Sequence, residues 1–236
     1  MRHIITEAIV LAGGLGTRLR ALVADRPKPM AEVRGRPFLE YLFDHWISQG
    51  IQRFVVSTGY RGEVIQQHFG GQYKQADISY VHESIPRGTG GALKLVLSNE
   101  RALTNRVVLL NGDTWFPADL RTLSRDHDAG PVCMCVTDVP INTRYGSVLV
   151  SGRNNVTGFS DANNGPSSIN TGVYSVDTDS LRRYIFDMTD CFSFESDVLK
   201  KLVEEIGIVC SHQHAPFLDI GVPDDYLKAR DLLPMS

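Results

Sequence analysis

A glycine-rich turn near the start of the chain is the first feature that could bind a charged ligand. The turn follows the short apolar run Glu7–Ala12, which predicts a buried strand. Glycines at the end of a strand let backbone N–H groups approach a phosphate without interference from a Cβ atom. The candidate phosphate-binding residues of this turn are Leu11, Ala12, Gly13, Gly14, Gly16, Thr17 and Arg18.

Two familiar phosphate-binding loops do not fit this turn. A dinucleotide-binding fingerprint needs glycine or alanine three residues after its second glycine, and Leu19 stands at that position. A P-loop needs a Gly-Lys pair, and the chain contains none. The turn therefore either binds phosphate in another way, helped by its own Arg18, or is a plain glycine-rich turn.

A lysine between two prolines is the second feature with chemical potential. Pro27 and Pro29 fix φ on both sides of Lys28, and this rigidity lowers the entropy cost of positioning a long side chain. A proline-rich surface turn is the simpler alternative. The location of Lys28 ten residues after Arg18 favours a cation held beside the glycine-rich turn.

The distribution of charge indicates a small anionic ligand rather than nucleic acid. The chain has 24 Lys and Arg against 27 Asp and Glu, a net charge of −3. Residues 1–36 hold seven basic and three acidic residues, so this segment carries +4 and the remainder −7. Its charges lie among glycines and prolines instead of in a like-charge run, which suits a nucleoside triphosphate better than a duplex.

Composition predicts an ordinary globular protein of 236 residues, of which 42% are hydrophobic. No apolar run approaches the ~18 residues of a membrane span, and charges within the first seven residues do not suit a signal peptide. The four cysteines form no Cys-x-x-Cys pair, so neither a zinc ribbon nor a thioredoxin-like site is indicated. We therefore expect a cytoplasmic protein with no membrane partner.

Strand and helix patterns alternate through the first half of the chain. This alternation predicts an α/β fold, with a mostly parallel sheet covered by helices on both faces. The predicted strands are 7–12, 53–57, 78–82 and 106–110, and the predicted helices are 38–47, 64–69 and 92–97.

The second half has shorter strands, separated by turn residues. The predicted strands are 132–136, 146–150, 156–159 and 172–176, and the predicted helices are 180–186, 195–206 and 224–232. The polar stretch Asp161–Ser168 predicts a loop that could act as a lid. No linker-like composition separates the halves. We therefore expect a single domain, 1–236, with a nucleotide-binding half (1–130) and a half for a second substrate (131–236).

Two aspartates are candidate metal ligands. Asp113 follows the most apolar strand, and the carboxyl ends of parallel strands form the ligand crevice of an open sheet. Asp219 follows the apolar pair Phe217-Leu218 and could complete a carboxylate pair for Mg²⁺. The alternative for each is a helix N-cap or a loop acid. Asp224 and Asp225 fit better in the first turn of the last helix.

A series of motifs along the chain resembles one known family. The motifs are Gly13-Gly14-x-Gly16-x-Arg18, Pro27-Lys28-Pro29, Gly88-Thr89-Gly90-Gly91-Ala92, Asn111-Gly112-Asp113-Thr114, Tyr145-Gly146, Asn170-Thr171-Gly172-Val173-Tyr174 and Asp219-Ile220-Gly221-Val222-Pro223. Their order and content resemble the sugar-1-phosphate nucleotidyltransferases, also called nucleoside-diphospho-sugar pyrophosphorylases. The length is similar to that of the short single-domain members.

The resemblance implies a Rossmann-like three-layer fold of the nucleotide-diphospho-sugar transferase type. It also implies transfer of a nucleoside monophosphate from an NTP to a sugar 1-phosphate, with release of pyrophosphate. In that reaction Arg18 would meet the departing pyrophosphate and Lys28 the charge at the reacting phosphorus, with Mg²⁺ on Asp113 and Asp219. The residues leave two other classes open: a nucleotide-sensing protein without turnover, and the less favoured NAD-dependent oxidoreductase.

The resemblance places nucleobase recognition at Gly88 and Thr89, together with Glu83. The Glu83 carboxylate could accept hydrogen bonds from N1–H and the amino group of guanine. The alternative is a helix start whose small residues serve packing.

The resemblance also places five polar or glycine positions around the sugar hydroxyls: Tyr145, Gly146, Asp161, Asn170 and Glu195. The family usually has a lysine after the acid at position 161, and this chain has Ala162. Another cation should therefore offset the charge of the sugar phosphate, because desolvating that charge alone would be costly. Arg144 is the predicted replacement, and Arg153 is the alternative.

The remaining candidates predict no further chemistry. His212 and His214 alternate near the chain end, but without a third ligand we do not expect them to bind metal. Cys133 and Cys135 should face one side of a strand as small hydrophobic residues. Phe43 and Trp46 have core spacing. The chain could associate as a homo-oligomer.

Overall fold

The computed structural model describes residues 4–14, 16, 19, 23, 26–127, 130–152 and 154–235. Its first half contains, in chain order, β1 (Glu7–Ala12), a 3₁₀ helix (Lys28–Met30), β2 (Glu32–Val33), β3 (Arg36–Pro37), α1 (Phe38–Ser48), β4 (Arg53–Thr58), α2 (Gly62–Phe69), β5 (Gln72–Tyr73), β6 (Ala76–His82), α3 (Gly88–Asn99), β7 (Arg106–Asn111), β8 (Thr114–Trp115) and α4 (Leu120–Asp126). The second half contains β9 (Val132–Val139), β10 (Ser147–Ser151), β11 (Asn155–Ser160), β12 (Ser167–Asp177), α5 (Thr178–Ile185), a π-helix (Phe194–Leu199), α6 (Lys200–Glu205), β13 (Ile208–His212), β14 (Leu218–Asp219) and α7 (Pro223–Leu232).

One mixed sheet includes strands from both halves of the described chain, in the order β10-β11-β13-β9-β12-β7-β1-β4-β6-β5. Strands β7, β1, β4 and β6 are parallel neighbours, as the alternating pattern of the first half predicts. Strand β12 runs antiparallel to both β7 and β9 and so joins the two halves. Beyond β12, β9 and β13 are parallel to each other, while β10 and β11 are antiparallel neighbours.

Helices cover both faces of this sheet, which confirms the predicted α/β class. Alternate residues of β1 point to opposite faces: Ala8 and Val10 pack with α1, α2 and α4, whereas Ile9 packs with α3, α5 and the π-helix. Phe43 and Trp46 are fully buried in the first layer. Burial of each such side chain contributes about 1.5–3 kcal/mol, so these two helical positions fix α1 against the sheet.

A third apolar cluster is built from residues outside the main sheet. It includes Ala31, Phe38, Trp115, Ile220 and Ala229, which come from the loop after the 3₁₀ helix, α1, β8, the residues after β14, and α7. Strands β8 and β14 pair antiparallel, with Asp219 opposite Thr114. This cluster therefore holds the two short strands against α1, α7 and the segment that follows the 3₁₀ helix.

Several boundaries differ from the sequence prediction. Helix α3 begins at Gly88, so residues 88–91 form its first turn rather than a loop before it. The predicted helix 195–206 is a π-helix followed by α6, and the predicted loop ends at 166 because Ser167 begins β12. Helix α4 and strand β13 were not predicted, since both segments are short and half polar. No helix in the described ranges is long and apolar enough to cross a membrane.

Candidate active site

The centre of the candidate site is a lysine ammonium between two carboxylates. Lys28 Nζ lies 2.5 Å from Asp113 Oδ2 and 3.3 Å from Asp219 Oδ1. The Lys28 side chain is 9% exposed, while those of Asp113 and Asp219 are 38% and 19% exposed. Lys28 and the predicted carboxylate pair therefore form one charged cluster, partly open to solvent.

The Pro-Lys-Pro segment positions this ammonium through its backbone. Lys28 begins the 3₁₀ helix, in which Met30 N–H donates to Pro27 O and Ala31 N–H donates to Lys28 O. Pro29 and Met30 are buried. Because backbone conformation and packing are both fixed on each side of Lys28, its long side chain loses less entropy on reaching the carboxylates.

The two carboxylates lie far apart in the sequence, Asp113 near its middle and Asp219 near its end, but they come from adjacent backbone segments. Asp113 follows β7, and its carbonyl oxygen accepts from Ile220 N–H at 3.1 Å. Asp219 ends β14, and its Oδ1 also accepts from Gly221 N–H at 2.7 Å. Both side chains direct oxygen atoms at one cation, the Lys28 ammonium. Carboxylate oxygens are also the ligands that hard divalent cations prefer, so these two aspartates fit such a cation.

Two glycines allow the backbone to approach Lys28. Gly16 has a φ of +58°, and a Cβ there would lie 3.1 Å from Lys28 Cβ. A Cβ at Gly221 would overlap Lys28 Nζ. Gly221 and the glycine-rich turn both line the cavity around the ammonium. The sequence analysis did not select Gly221 as a site residue. Its position two residues after Asp219, in the last motif, was the available signal.

That cavity contains most of the predicted glycine-rich turn. Its described lining comprises Leu11, Ala12, Gly14, Gly16, Lys28, Pro29, Asp113 and Gly221. Thr17 and Arg18 lie outside the described residues, so their predicted roles stay predictions. Gly13 borders an adjoining cavity instead.

The adjoining cavity extends from the glycine-rich turn to the start of α3. It is lined by Leu11, Gly13, Gly14, Glu83, Pro86, Arg87, Gly88, Thr89, Ala92, Asn111 and Asp113. Leu11, Gly14 and Asp113 border both cavities, so a ligand could extend from one to the other.

Glu83 is held rigidly at the inner wall of this second cavity. It is 8% exposed, its Oε1 accepts from Ser57 Oγ at 3.1 Å, and its Oε2 accepts from Arg87 N–H at 3.2 Å. A Cβ at Gly13 would overlap Glu83 Oε1, so only glycine permits this approach. Burial raises the pKa of the Glu83 carboxyl above its usual range, and the two hydrogen bonds only partly oppose that effect.

Asn111 is a lining residue that the sequence analysis passed over. Its Oδ1 is buried and has no hydrogen-bond partner among the described residues. Gly172, with a φ of +71°, packs closely against the Asn111 amide: a Cβ at position 172 would lie 2.8 Å from Asn111 Nδ2. The Asn111-Gly112-Asp113 motif contained the signal, but only the charged residue was selected.

A third cavity contains all five residues that the resemblance placed around the sugar. Its lining comprises Tyr145, Gly146, Phe159, Ser160, Asp161, Asn170, Glu195, Ser196, Leu199 and Lys200. Residues 195, 196, 199 and 200 lie on one face of the π-helix and the start of α6. Lys200 was not predicted. It is exposed, and its side chain forms no hydrogen bond or ion pair within the described part of the chain.

One hydrogen-bond network connects the second and third cavities. Thr89 Oγ1 donates to Glu195 Oε2 at 2.5 Å, and Phe194 N–H donates to Thr89 Oγ1 at 2.9 Å. Ser193 Oγ also donates to Glu195 Oε2, at 3.1 Å. Thr89 therefore orients Glu195, in addition to lining the second cavity.

Arg144 does not line the third cavity, although it contacts Tyr145, which does. Its guanidinium forms an ion pair with Asp225 in α7 and donates to Tyr145 Oη at 2.6 Å. The hydrogen bond to Asp225 is the main cause that raises the pKa of Arg144 above its usual value. Arg144 borders a different groove, and the alternative, Arg153, lies outside the described residues.

Comparison with known proteins identifies the class of this fold and site. The nucleotidyl transferase family model matches residues 7–235, and the chain belongs to that family. The chain is 37% identical over 229 residues to D-glycero-alpha-D-manno-heptose 1-phosphate guanylyltransferase from Aneurinibacillus thermoaerophilus, covering 95% of this chain and 96% of the relative. It is 36% identical to the enzyme of the same name from Campylobacter jejuni, covering 93% and 96%.

A solved structure has the same fold along nearly the whole chain. HddC from Yersinia pseudotuberculosis, complexed with GMP-PN, superposes with a TM-score of 0.82 and 30% sequence identity. The match covers 96% of this chain and 99% of that one. The predicted three-layer fold of the nucleotide-diphospho-sugar transferase type is therefore confirmed.

Proposed function

We propose that this protein transfers a guanylyl group from GTP to a sugar 1-phosphate, most specifically D-glycero-α-D-manno-heptose 1-phosphate, and releases pyrophosphate. The observation that carries the proposal is the Lys28–Asp113–Asp219 cluster, which lies beside a cavity that contains a buried carboxylate, Glu83. The names of the relatives support the same substrate pair.

Guanine fits the second cavity because of Glu83. A carboxylate fixed from one side by Ser57 and the Arg87 backbone keeps lone pairs for two further donors. Guanine presents two adjacent donors, N1–H and the 2-amino group, whereas uracil and thymine present a single ring N–H. Cytosine would place an acceptor against the carboxylate, so Glu83 favours guanine over the pyrimidines.

The chemistry requires positioning and neutralisation of charge. The sugar phosphate oxygen forms a bond to the α-phosphorus of GTP, and the bond from that phosphorus to the pyrophosphate oxygen breaks. Lys28 holds positive charge at the reacting phosphate, and the glycine-rich turn directs backbone N–H groups at the triphosphate. Mg²⁺ bound by Asp113 and Asp219 would supply further neutralisation of phosphate charge.

The sugar would bind in the third cavity, among residues of the 131–236 half, and the base among residues of the 1–130 half of a single nucleotidyltransferase domain. Tyr145, Asn170 and the two acids, Asp161 and Glu195, offer both donors and acceptors to hydroxyl groups. Those two acids would repel a sugar phosphate, so the cavity needs a cation.

We assign to Lys200, in place of Arg144, the role of offsetting the negative charge of the sugar phosphate. It lines the cavity and is unpaired within the described ranges, whereas Arg144 is paired with Asp225 outside that cavity. Lys200→Ala should raise the KM for the sugar 1-phosphate by ~10-fold, the scale of one charge-assisted hydrogen bond, and leave the KM for GTP unchanged. Lys201→Ala is the matched control, because Lys201 pairs with Glu205 instead. An equal KM increase in both variants would contradict the assignment.

The activity itself is tested by incubating the chain with each of four NTPs and several sugar 1-phosphates, with pyrophosphate release as the readout. The proposal expects the highest kcat/KM for GTP with the heptose 1-phosphate. Faster turnover of mannose, glucose or N-acetylmuramic acid 1-phosphate, or of another NTP, would show that the proposed substrate pair is wrong. GTP binding without any pyrophosphate release would indicate a nucleotide-sensing protein.

A further inference from the structure

A cluster of metal-binding side chains lies where strands β9 and β13 end. His212 is the last residue of β13, His214 follows two residues later, and Asp138 lies near the end of β9. These strands are parallel neighbours, with His212 opposite Val136. Asp138 lies two residues after Val136, and His214 lies two residues after His212. The parallel register therefore brings Asp138 and His214 to the same level.

The backbone directs both imidazoles to the side of Asp138. Gln213 N–H continues the ladder by donating to Val136 O at 3.0 Å, and the Gln213 side chain bonds to Asp119 and Ser211. Residues on either side of Gln213 in such extended backbone face the opposite way from it. The rings of His212 and His214 consequently lie 5.1 Å apart between their centroids.

The ligand atoms are close enough to share one ion. One nitrogen from each histidine and one Asp138 oxygen all lie within 4.8 Å of one another, and His212 Nε2 lies 3.1 Å from Asp138 Oδ1. Ser168 Oγ donates to the same Oδ1 at 2.6 Å and so orients the carboxylate. All three ligand residues are exposed, which leaves space for water at a fourth position.

We propose that Asp138, His212 and His214 form a binding site for a divalent transition-metal ion, with Zn²⁺ as the probe. Two imidazoles and a carboxylate suit Zn²⁺, Co²⁺ or Ni²⁺, whereas Mg²⁺ prefers oxygen ligands alone. This site is distinct from the Asp113–Asp219 pair in both its residues and its donor chemistry. The sequence analysis did not identify Asp138 as the third ligand, because only the parallel pairing of β9 and β13 brings it beside the histidines.

The bound ion would tether a segment that leads to the candidate active site. Residues 213–217 connect His212 to β14, whose Asp219 contacts Lys28. A groove beside Asp138 is also lined by Ala215 and Phe217, so the metal would join the end of β9 to this connection. The ion would thereby restrict motion of the segment that carries Asp219.

The test is calorimetric titration of Zn²⁺ into the chelator-treated chain, with Mg²⁺ in large excess so that the oxygen-ligand site is filled. We expect one Zn²⁺ per chain. Asp138→Asn, His212→Ala and His214→Ala should each weaken binding by at least ~10-fold, the scale of losing one ligand interaction. His68→Ala is the control, since His68 is a surface histidine paired with Glu40 far from the cluster.

Absence of Zn²⁺ binding to the unaltered chain would overturn the site, and so would an affinity in the three cluster variants equal to that of the unaltered chain. The surface ion pair between His212 and Asp138 would then be a sufficient description. Hydrogen exchange provides a second readout. Zn²⁺ should slow amide exchange of residues 213–218 in the unaltered chain and not in His214→Ala. Unchanged exchange despite Zn²⁺ binding would overturn the tether. Neither measurement depends on the proposed catalytic activity.

Discussion

Lys28 illustrates how a single residue is positioned for chemistry. Its ammonium is fixed by two carboxylates, and its side chain is enclosed by Gly16 and Gly221. A compact charge fits this space, whereas a guanidinium is planar and longer. The charge and the shape of the side chain should therefore both matter.

The first prediction is that Lys28→Ala lowers kcat by at least ~10², the scale of losing one electrostatic contact to the transition state, and that Lys28→Arg does not restore it. Pyrophosphate release measures the rates, and thermal unfolding checks that both variants fold. A Lys28→Arg chain that works at the original rate would mean that position 28 supplies only diffuse positive potential.

Glu83 is the residue whose protonation should control the choice of base. Because burial raises its pKa, the carboxyl takes up a proton at a higher pH than an ordinary glutamate does. The protonated form loses an acceptor, so the KM for GTP should rise as pH falls through that raised pKa. Glu83→Gln should remove this dependence.

The same substitution tests guanine recognition directly. Glu83→Gln should lower kcat/KM for GTP by about 10–100-fold, because hydrogen bonds to a charged group contribute about 1.5–3 kcal/mol. ITP, which lacks the 2-amino group, should lose less. Equal losses for GTP and ITP would show that Glu83 does not contact that amino group.

At the scale of elements, the contact between α3 and the π-helix joins the second and third cavities. A Cβ at Gly90 would overlap the ring of Phe192, and one at Gly91 would overlap Asp190 O. These glycines serve packing, which was the simpler of the two interpretations of this motif. Thr89 provides the polar link, through Glu195 and Phe194.

Gly90→Ala should consequently destabilise the chain by about 1–3 kcal/mol, the typical cost of overpacking a fitted core. It should also raise the KM for the sugar 1-phosphate, because displacement of Phe192 moves the segment that carries Glu195. Urea unfolding and steady-state kinetics measure the two effects. Gly71→Ala is the control, since no atom lies within 4 Å of a Cβ there; equal stability of both variants would refute the packing argument.

At the scale of the whole molecule, the site depends on bringing the two halves of the chain together. Asp113 follows the central strand β7, while Asp219 comes from the short pair β8–β14 that α7 and the third apolar cluster support. Neither half holds Lys28 between two carboxylates by itself.

Asp113→Asn and Asp219→Asn should each lower activity by at least ~10², and the double variant should lose less than the product of the two effects, because both residues act on one charge cluster. Asp224→Asn, an exposed acid in the first turn of α7, should retain activity. Independent, fully multiplicative losses would mean that the two aspartates serve separate sites.

The sequence by itself determined the α/β class, the parallel strands of the first half and more than half of the described residues that line the three cavities, because these depend on local periodicity and on motifs of fixed spacing. It also placed Phe43, Trp46, Cys133 and Cys135 in the core, where they are buried. The tertiary structure decided which polar groups meet. Arg144 pairs with Asp225, Lys200 lines the third cavity, and Asp138 lies beside His212 and His214. Such contacts depend on the register and packing of strands and helices distant in the chain, which no local pattern specifies.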